Sequence, residues 1–516
     1  MPVVYNPCRN HLLIRLLFAI CFLLLFLPFL FCIYRGGRLS YGFHSYRIKD
    51  RIDSVGRKPV AKSAELPQNG ETNQGRSDIP SATSVPFVIS NSQSSAVHQN
   101  DSVNHRKYTS LAEMVYLVRT KSYRFANYSL GVSEQDIETF QASLPPLLEN
   151  YRSPCWLEYL GTEHVYDDSY YLTKDCMERD AVRKSFSWAY VAYKRRLATG
   201  LHWRVRCMPY FYLLGMPKSG TTDLYVAVIR YTKNIISGAR KEPHFWNRRR
   251  FGIPYSGSCY NRPDIGVARL SDYLDLHDEA AEKTKMRYSQ KDNIYYHKLL
   301  IGDFTPSTMW SLPQWWRIRG NENLDEPLYT TAHHLHGIWS RSQFIVMLRD
   351  PVERAFSQMK YRSLPIDGQV AAHFHYLVQN TIKELENCRP LRGCVYNRTD
   401  PLSPDMHGNF IIIPGMYSLF ISDWLKVFPR QQFHFIRFED YKRNKSGELD
   451  RLFTFLNTDS LDSRLRGRIT KMPVANKGIR TESMWNKTRT ILEDFYRPWN
   501  HRLADIVGDH SFRWGY

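Results

Sequence analysis

Lys218 sits inside an eight-residue stretch, Gly215-Met216-Pro217-Lys218-Ser219-Gly220-Thr221-Thr222, which follows a short apolar run and precedes a helix-forming segment, Asp223 to Arg230. A strand, a glycine-bounded turn and a helix start aim successive backbone N–H groups at one point, and the helix dipole adds to their pull on an anion. The triphosphate-binding loop G-x-x-x-x-G-K-[ST] places its lysine directly after the second glycine. Here Thr221 takes that place and the lysine lies within the loop. Arg349 ends a second apolar run, Phe344 to Leu348, and Ser357 lies eight residues beyond it. Pro351 opens the intervening helix where a missing N–H costs nothing. A triphosphatase carries a Mg²⁺-binding carboxylate at such a strand end. A guanidinium there suits a terminal phosphate bound without metal.

A third group is Lys241-Glu242-Pro243-His244. A carboxylate so placed can take the proton of a hydroxyl whose oxygen attacks an electrophile, and a neighbouring imidazole can orient either reactant. Pro243 fixes the turn that aims Glu242 and His244. Around them run Arg240, Lys241, Arg248, Arg249 and Arg250, interleaved with Phe245, Trp246 and Phe251. This reads as an exposed basic surface that steers an anionic polymer, with salt-sensitive binding.

These groups need a scaffold that brings strand ends together. From residue 206 onward short apolar runs alternate with helical segments, the pattern of an α/β domain with a central parallel sheet. The expected strands are Tyr210–Leu214, Asn234–Ser237, Leu299–Gly302, Phe344–Leu348 and Gln432–Arg437. Residues 108–205 read as mostly helical and irregular. Gly415-x-Tyr417 with Trp424 reads as packing, and the segments 393–406 and 483–487 as exposed turns. Residues 53–105 are rich in Ser, Asn, Gln, Gly and Pro and poor in aromatics, which describes a flexible stem.

The chain has 516 residues, with 70 Lys+Arg against 50 Asp+Glu for a net charge of +20. Such a surplus favours polyanions, whether nucleic acid, anionic lipid or acidic polysaccharide. Compartment decides among them. Leu16 to Ile33 carries no charge and lies between Arg15 and Arg35, about long enough to span a bilayer. We assign 1–15 as a cytoplasmic tail, 16–34 as a signal anchor, 35–107 as lumenal stem, 108–205 as a helical lumenal region and 206–516 as the main domain. The charge balance beside the span points the other way, with two arginines before it and Arg35, Arg38, Arg47, Lys49 and Arg51 after it. The lumenal assignment rests on N-x-[ST] sequons at Asn100, Asn127, Asn397, Asn444 and Asn486. That compartment removes nucleic acid from the partners, and it permits disulfides among Cys155, Cys176, Cys207, Cys259, Cys388 and Cys394, with Cys388 and Cys394 near enough to staple a local loop. No cysteine–histidine spacing of a metal site occurs; His333-His334-x-His336 comes nearest. Homo-oligomerisation is left open.

Lys218-Ser-Gly-Thr-Thr after a strand, and Leu348-Arg349-Asp350-Pro351-x-Glu353-Arg354 followed by Ser357, resemble the two phosphate-binding motifs of Golgi carbohydrate sulfotransferases. The segments 220–225, 241–246, 250–252, 307–310 and 494–498 narrow the likeness to the N-acetylgalactosamine 4-sulfate 6-O-sulfotransferase group. The likeness covers about 155–516 and implies a P-loop-like sulfotransferase domain using 3′-phosphoadenosine 5′-phosphosulfate (PAPS), with no metal required. It implies that Lys218 neutralises the 5′-phosphosulfate and that Ser219, Gly220, Thr221 and Thr222 hold the same group. Arg349 and Ser357 then bind the 3′-phosphate, Lys477 and Gly478 close over the nucleotide, and Glu242 is the base with His244 beside it. The acceptor is a sulfated glycosaminoglycan, met by Arg240, Lys241, Arg248, Arg249 and Arg250, in the Golgi membrane. Ser219 and Asp303 depart from that group, which carries cysteine and glutamate there. The residues alone leave open sulfation of another glycan or position. They also leave a phosphotransferase or nucleotide hydrolase, opposed by the misplaced lysine, and a non-catalytic glycan-binding protein of the same fold.

Overall fold

The computed structural model describes residues 144–160, 165–175, 179–253, 266–286, 289–291, 294–362, 370–399, 406–473 and 482–516. The expected tail, span and stem lie outside these, as do Asn100, Asn127, Cys176, Cys259, Lys477 and Gly478. Among the described residues no helix is long and apolar enough to cross a membrane.

The scaffold is a sheet of five strands, β3 (Phe211–Gly215), β4 (Ile235–Ser237), β7 (Leu300–Asp303), β8 (Gln343–Leu348) and β9 (Phe433–Arg437), in the order β4-β7-β3-β8-β9. Every pairing within it is parallel. Between β4 and β7 in the chain, β5 (Ser289–Lys291) and β6 (Ile294–Tyr296) form a separate antiparallel pair. All five expected strands form, each within a residue or two of its expected ends. The reason is burial on both faces, which makes parallel strands read as continuous apolar runs; β3 is buried throughout and β8 all but its first residue. Two apolar clusters cover the faces. One joins Tyr212, Leu214, Phe344 and Val346 to Trp424, Tyr496 and Phe512; the other joins Phe211, Leu213, Ile345 and Met347 to Leu224, Leu449 and Phe453.

The described residues of 144–205 hold one long helix, α1 (Arg179–Leu197), and also β1 (Cys155–Tyr159), paired antiparallel with β2 (Trp203–Cys207). The division at 205/206 therefore falls inside a strand, and a disulfide between the facing residues Cys155 and Cys207 crosses it. Arg204 and Arg206 on β2 meet Glu158, Asp275 and Asp278 in a buried ion-pair cluster. This ties the small ladder to the segment 270–286.

Helices leave the C-terminal ends of the sheet strands: α2 (Thr221–Tyr231) after β3 and α3 (Pro351–Arg362) after β8. In sheets of this kind ligands bind outside those ends, where successive connections diverge to opposite sides. On the α3 side of the sheet, α5 (Asn486–Val507) packs against α3 and against α4 (Tyr417–Leu425). The segments expected as turns are partly helical. Leu391–Asn397 forms a short helix, and Asn486 opens α5.

Candidate active site

The lysine loop is a sharp turn between β3 and α2. Lys218 and Gly220 both take left-handed backbone conformations, φ 68° and 90°. Glycine is required at 220 on two counts, since a Cβ there would also lie 2.7 Å from the Phe438 ring. Ser219 is fully buried, and its hydroxyl has no hydrogen-bond partner within the protein. Thr221 is buried at the helix start. An unsatisfied hydroxyl, a helix N-terminus without a side-chain cap and an adjacent ammonium make a donor set suited to an anionic group. Lys218 Nζ rests 3.9 Å from the ring centre of Tyr361, a residue 72% exposed. Burial, then the charge of Arg349, lowers its ammonium to about 8, against the pull of Glu242.

Arg349 reaches the same loop. Its Nη1 donates to the carbonyl of Lys218 at 3.3 Å, and its guanidinium lies 5.2 Å from the centre of the Phe438 ring. Phe438 thus packs under both the glycine of one motif and the arginine of the other. The carbonyl of Arg349 accepts from the Tyr417 hydroxyl at 2.7 Å. Asp350 Oδ1 accepts from the N–H of Val352 at 2.9 Å, capping α3, on which Ser357 is carried.

Glu242 and His244, both with positive φ (60° and 53°), flank Pro243. For residues other than glycine this is a strained arrangement, of a kind concentrated at functional sites. The Lys241 ammonium forms a close ion pair with the Glu242 carboxylate and lies 3.3 Å from the Thr222 hydroxyl. Glu242 is thereby joined to the lysine loop through a single side chain. His244 Nε2 stands 3.7 Å from Glu242 Oε2. Its Nδ1 is 3.1 Å from Ser307 Oγ, which accepts from Asn247 Nδ2 at 2.9 Å. A proton on Nε2 lets Nδ1 accept from Ser307, so Asn247, Ser307 and His244 are consistent as donors and acceptors, and Nε2 is turned toward Glu242 at ion-pair distance. Burial opposes ionisation of Glu242, but His244 and Lys241 hold its carboxyl down at about 2. Burial lowers His244 to about 4, which leaves it neutral. Below them Asp303, at the end of β7, accepts from Tyr273 at 2.7 Å and from Thr305 at 2.6 Å. Burial raises its carboxyl to about 6.

The basic run is corrected by its surroundings. Arg240, Arg248, Arg249 and Arg250 are at most 6% exposed, so they are not a solvated steering surface. Asp175 explains much of this: it pairs with Arg240 at 2.8 Å and with Arg249 at 3.0 Å. Arg250 Nη1 meets His334 Nδ1 at 2.6 Å and covers the Phe251 ring. Lys241 alone of the five keeps partial exposure, 21% of its side chain, and it faces Thr222 and Glu242. The histidine run is spent on structure: His333 caps the helix at Thr330, and His336 packs on Phe428. Cys388 and Cys394 form the expected disulfide. Asn397, Asn444 and Asn486 are all exposed.

Sequence reasoning assigned no role to Phe438, Asp350, Ser307 or Asn247, and it read Tyr417 as packing alone. The one signal for Tyr417 is that a buried tyrosine hydroxyl needs a partner.

A parallel sheet whose central strand feeds a lysine-bearing anion loop, with an arginine from the next strand bonded to that loop, defines a sulfotransferase. The Sulfotransferase domain family matches residues 209–477, spanning both motifs. Carbohydrate sulfotransferase 15 of Homo sapiens is 34% identical over 463 residues, covering 84% of this chain and 79% of that protein. Its counterpart in Mus musculus is 34% identical over 401 residues, covering 74% and 68%. The chain belongs to the carbohydrate sulfotransferase 15 family. A crystal structure of a sulfotransferase from Alicyclobacillus acidocaldarius aligns with 60% of this chain and 99% of its own, at 18% identity and a TM-score of 0.37.

Proposed function

We propose that the protein transfers a sulfuryl group from PAPS to C6 of N-acetylgalactosamine 4-sulfate in chondroitin or dermatan sulfate. The acceptor oxygen attacks sulfur and the bond from sulfur to the bridging phosphate oxygen breaks. The hydroxyl proton passes to Glu242, and adenosine 3′,5′-bisphosphate departs. Lys218 and the N–H groups of 219–222 balance the charge that grows on the leaving phosphate. Arg349 and Ser357 hold the 3′-phosphate, with Lys477 and Gly478 closing over the nucleotide. The observation that supports this reading is Lys241, whose ammonium touches both Thr222 of the lysine loop and Glu242, so that the carboxylate lies within one side chain's reach of that loop. The assignment of the 6-position follows the family to which the chain belongs, as does residence in the Golgi membrane with the catalytic domain lumenal. With the four arginines internal, Lys241 is the member of the basic run retained for the acceptor.

The test is transfer of ³⁵S from labelled PAPS by the purified lumenal part to chondroitin, dermatan and heparan chains, followed by disaccharide analysis. Label in 4,6-disulfated N-acetylgalactosamine supports the proposal. Label confined to heparan overturns the acceptor, and label in no chain overturns the activity.

A further inference from the structure

The family match ends at residue 477, yet the last residues of the sequence touch the donor side of the site. After α5 the chain turns at Gly508 (φ 77°), and the Asp509 side chain caps a short turn by accepting from the Ser511 N–H at 2.8 Å. Phe512, 3% exposed, anchors this turn in the main apolar cluster. Trp514 and Gly515 then take left-handed conformations, φ 54° and 88°, which fold the segment back toward β8.

The contacts made there converge on one peptide unit. Tyr516 Oη donates to Asp350 Oδ1 at 2.9 Å, the oxygen that also caps α3. Trp514 Nε1 donates to Glu439 Oε2 at 3.1 Å, and the other oxygen of Glu439 accepts the Asp350 N–H at 3.0 Å. The Trp514 ring stands 6.0 Å from the ring of Tyr417, whose hydroxyl donates to the Arg349 carbonyl. Both polar groups of the Arg349–Asp350 peptide are thus fixed, its C=O by Tyr417 and its N–H by Glu439. The side chain of Asp350 is fixed by Tyr516.

We propose that the segment 509–516 is a positioning element of the donor site: Trp514 and Tyr516 lock the Arg349–Asp350 turn and the start of α3, so that Arg349 and Ser357 present one rigid seat for the 3′-phosphate. This rests on the reading of Arg349 as the 3′-phosphate ligand. Neither Trp514 nor Tyr516 touches the nucleotide in this account; both act through Asp350 and Glu439. A seat held by paired hydrogen bonds loses affinity when its supports go, because the arginine must then be ordered at the moment of binding.

The experiment compares binding of adenosine 3′,5′-bisphosphate and AMP by titration calorimetry, for the wild type, Tyr516→Phe, Trp514→Phe, the double variant and Arg349→Ala. The ratio of the two affinities isolates the 3′-phosphate. It should fall about threefold to tenfold in each single variant, the size of one hydrogen bond, and further in the double. AMP binding and the KM for acceptor should stay within about twofold. Thermal melting of each variant separates a local change from general unfolding. A ratio unchanged in Arg349→Ala would sink the underlying assignment. A ratio that falls in Arg349→Ala but holds in both Trp514→Phe and Tyr516→Phe would overturn the positioning role alone.

Discussion

Arg349 Nη1 donates to the main-chain carbonyl of Lys218, joining two motifs that lie 131 residues apart in the sequence. Both residues also bear on one hydrophobic wedge, since Phe438 lies beneath Arg349 and against the turn at Gly220. An activated nucleotide sulfate carries an anionic group at each end of its ribose, and this junction puts a cation at the end of each of two adjacent strands. The spacing is set by β3 and β8, which pair directly.

Arg349→Lys should raise the KM for PAPS by about tenfold or more while changing the acceptor KM little. A guanidinium forks to a phosphate and to the Lys218 carbonyl at once, whereas an ammonium is a point charge that cannot do both. Initial rates at varied PAPS, with acceptor saturating, check this.

The affinity for PAPS should fall as pH rises through about 8, where burial and Arg349 place the titration of Lys218. The sign follows from the charged form being the one that binds the anion; above that pH the free enzyme must first take up a proton. In Lys218→Arg the decline should move to higher pH, because arginine stays charged throughout. The pH dependence of PAPS binding decides the matter.

Glu242→Gln should lower kcat by about a hundredfold or more, the range for a lost general base. Ser307→Ala should cost about tenfold in kcat with little change in PAPS binding, because it frees the imidazole that faces Glu242. With Glu242 held near 2 and His244 near 4, the kcat/KM profile should show no acid limb above about pH 5. Steady-state rates between pH 5 and 8 test these expectations.

Arg249→Ala should destabilise the protein by about 3 kcal/mol, since it strips a buried carboxylate of one of its cationic partners. Asp175 is that carboxylate, paired with Arg249 and with Arg240. Lys241→Ala, at a partly exposed position, should leave melting nearly unchanged and lower turnover instead. Thermal melts beside rates distinguish a structural arginine from a lysine that meets the acceptor.

The sheet was legible in the sequence because its strands are short apolar runs buried on both faces, as β3 shows from end to end. The donor motifs were legible because loop chemistry is local: lysine, glycine and threonine act within a few residues of one another. What escaped were relations across distance. The burial of Arg240 and Arg249 depends on Asp175, 65 and 74 residues away, so a run of arginines looked like surface. β1 and β2 escaped because their pairing spans a helix and rests on a cysteine pair that composition could not assign. The closing segment 509–516 has no periodicity at all, and its meaning lies in the partners Asp350 and Glu439.

A crystal structure with adenosine 3′,5′-bisphosphate bound tests the account most directly. It should show the 5′-phosphate on the N–H groups of 219–222 with Lys218 turned away from Tyr361 onto it, and the 3′-phosphate on Arg349 and Ser357. A nucleotide whose 3′-phosphate lies away from Arg349, or whose 5′-phosphate lies outside the Lys218 loop, would contradict it.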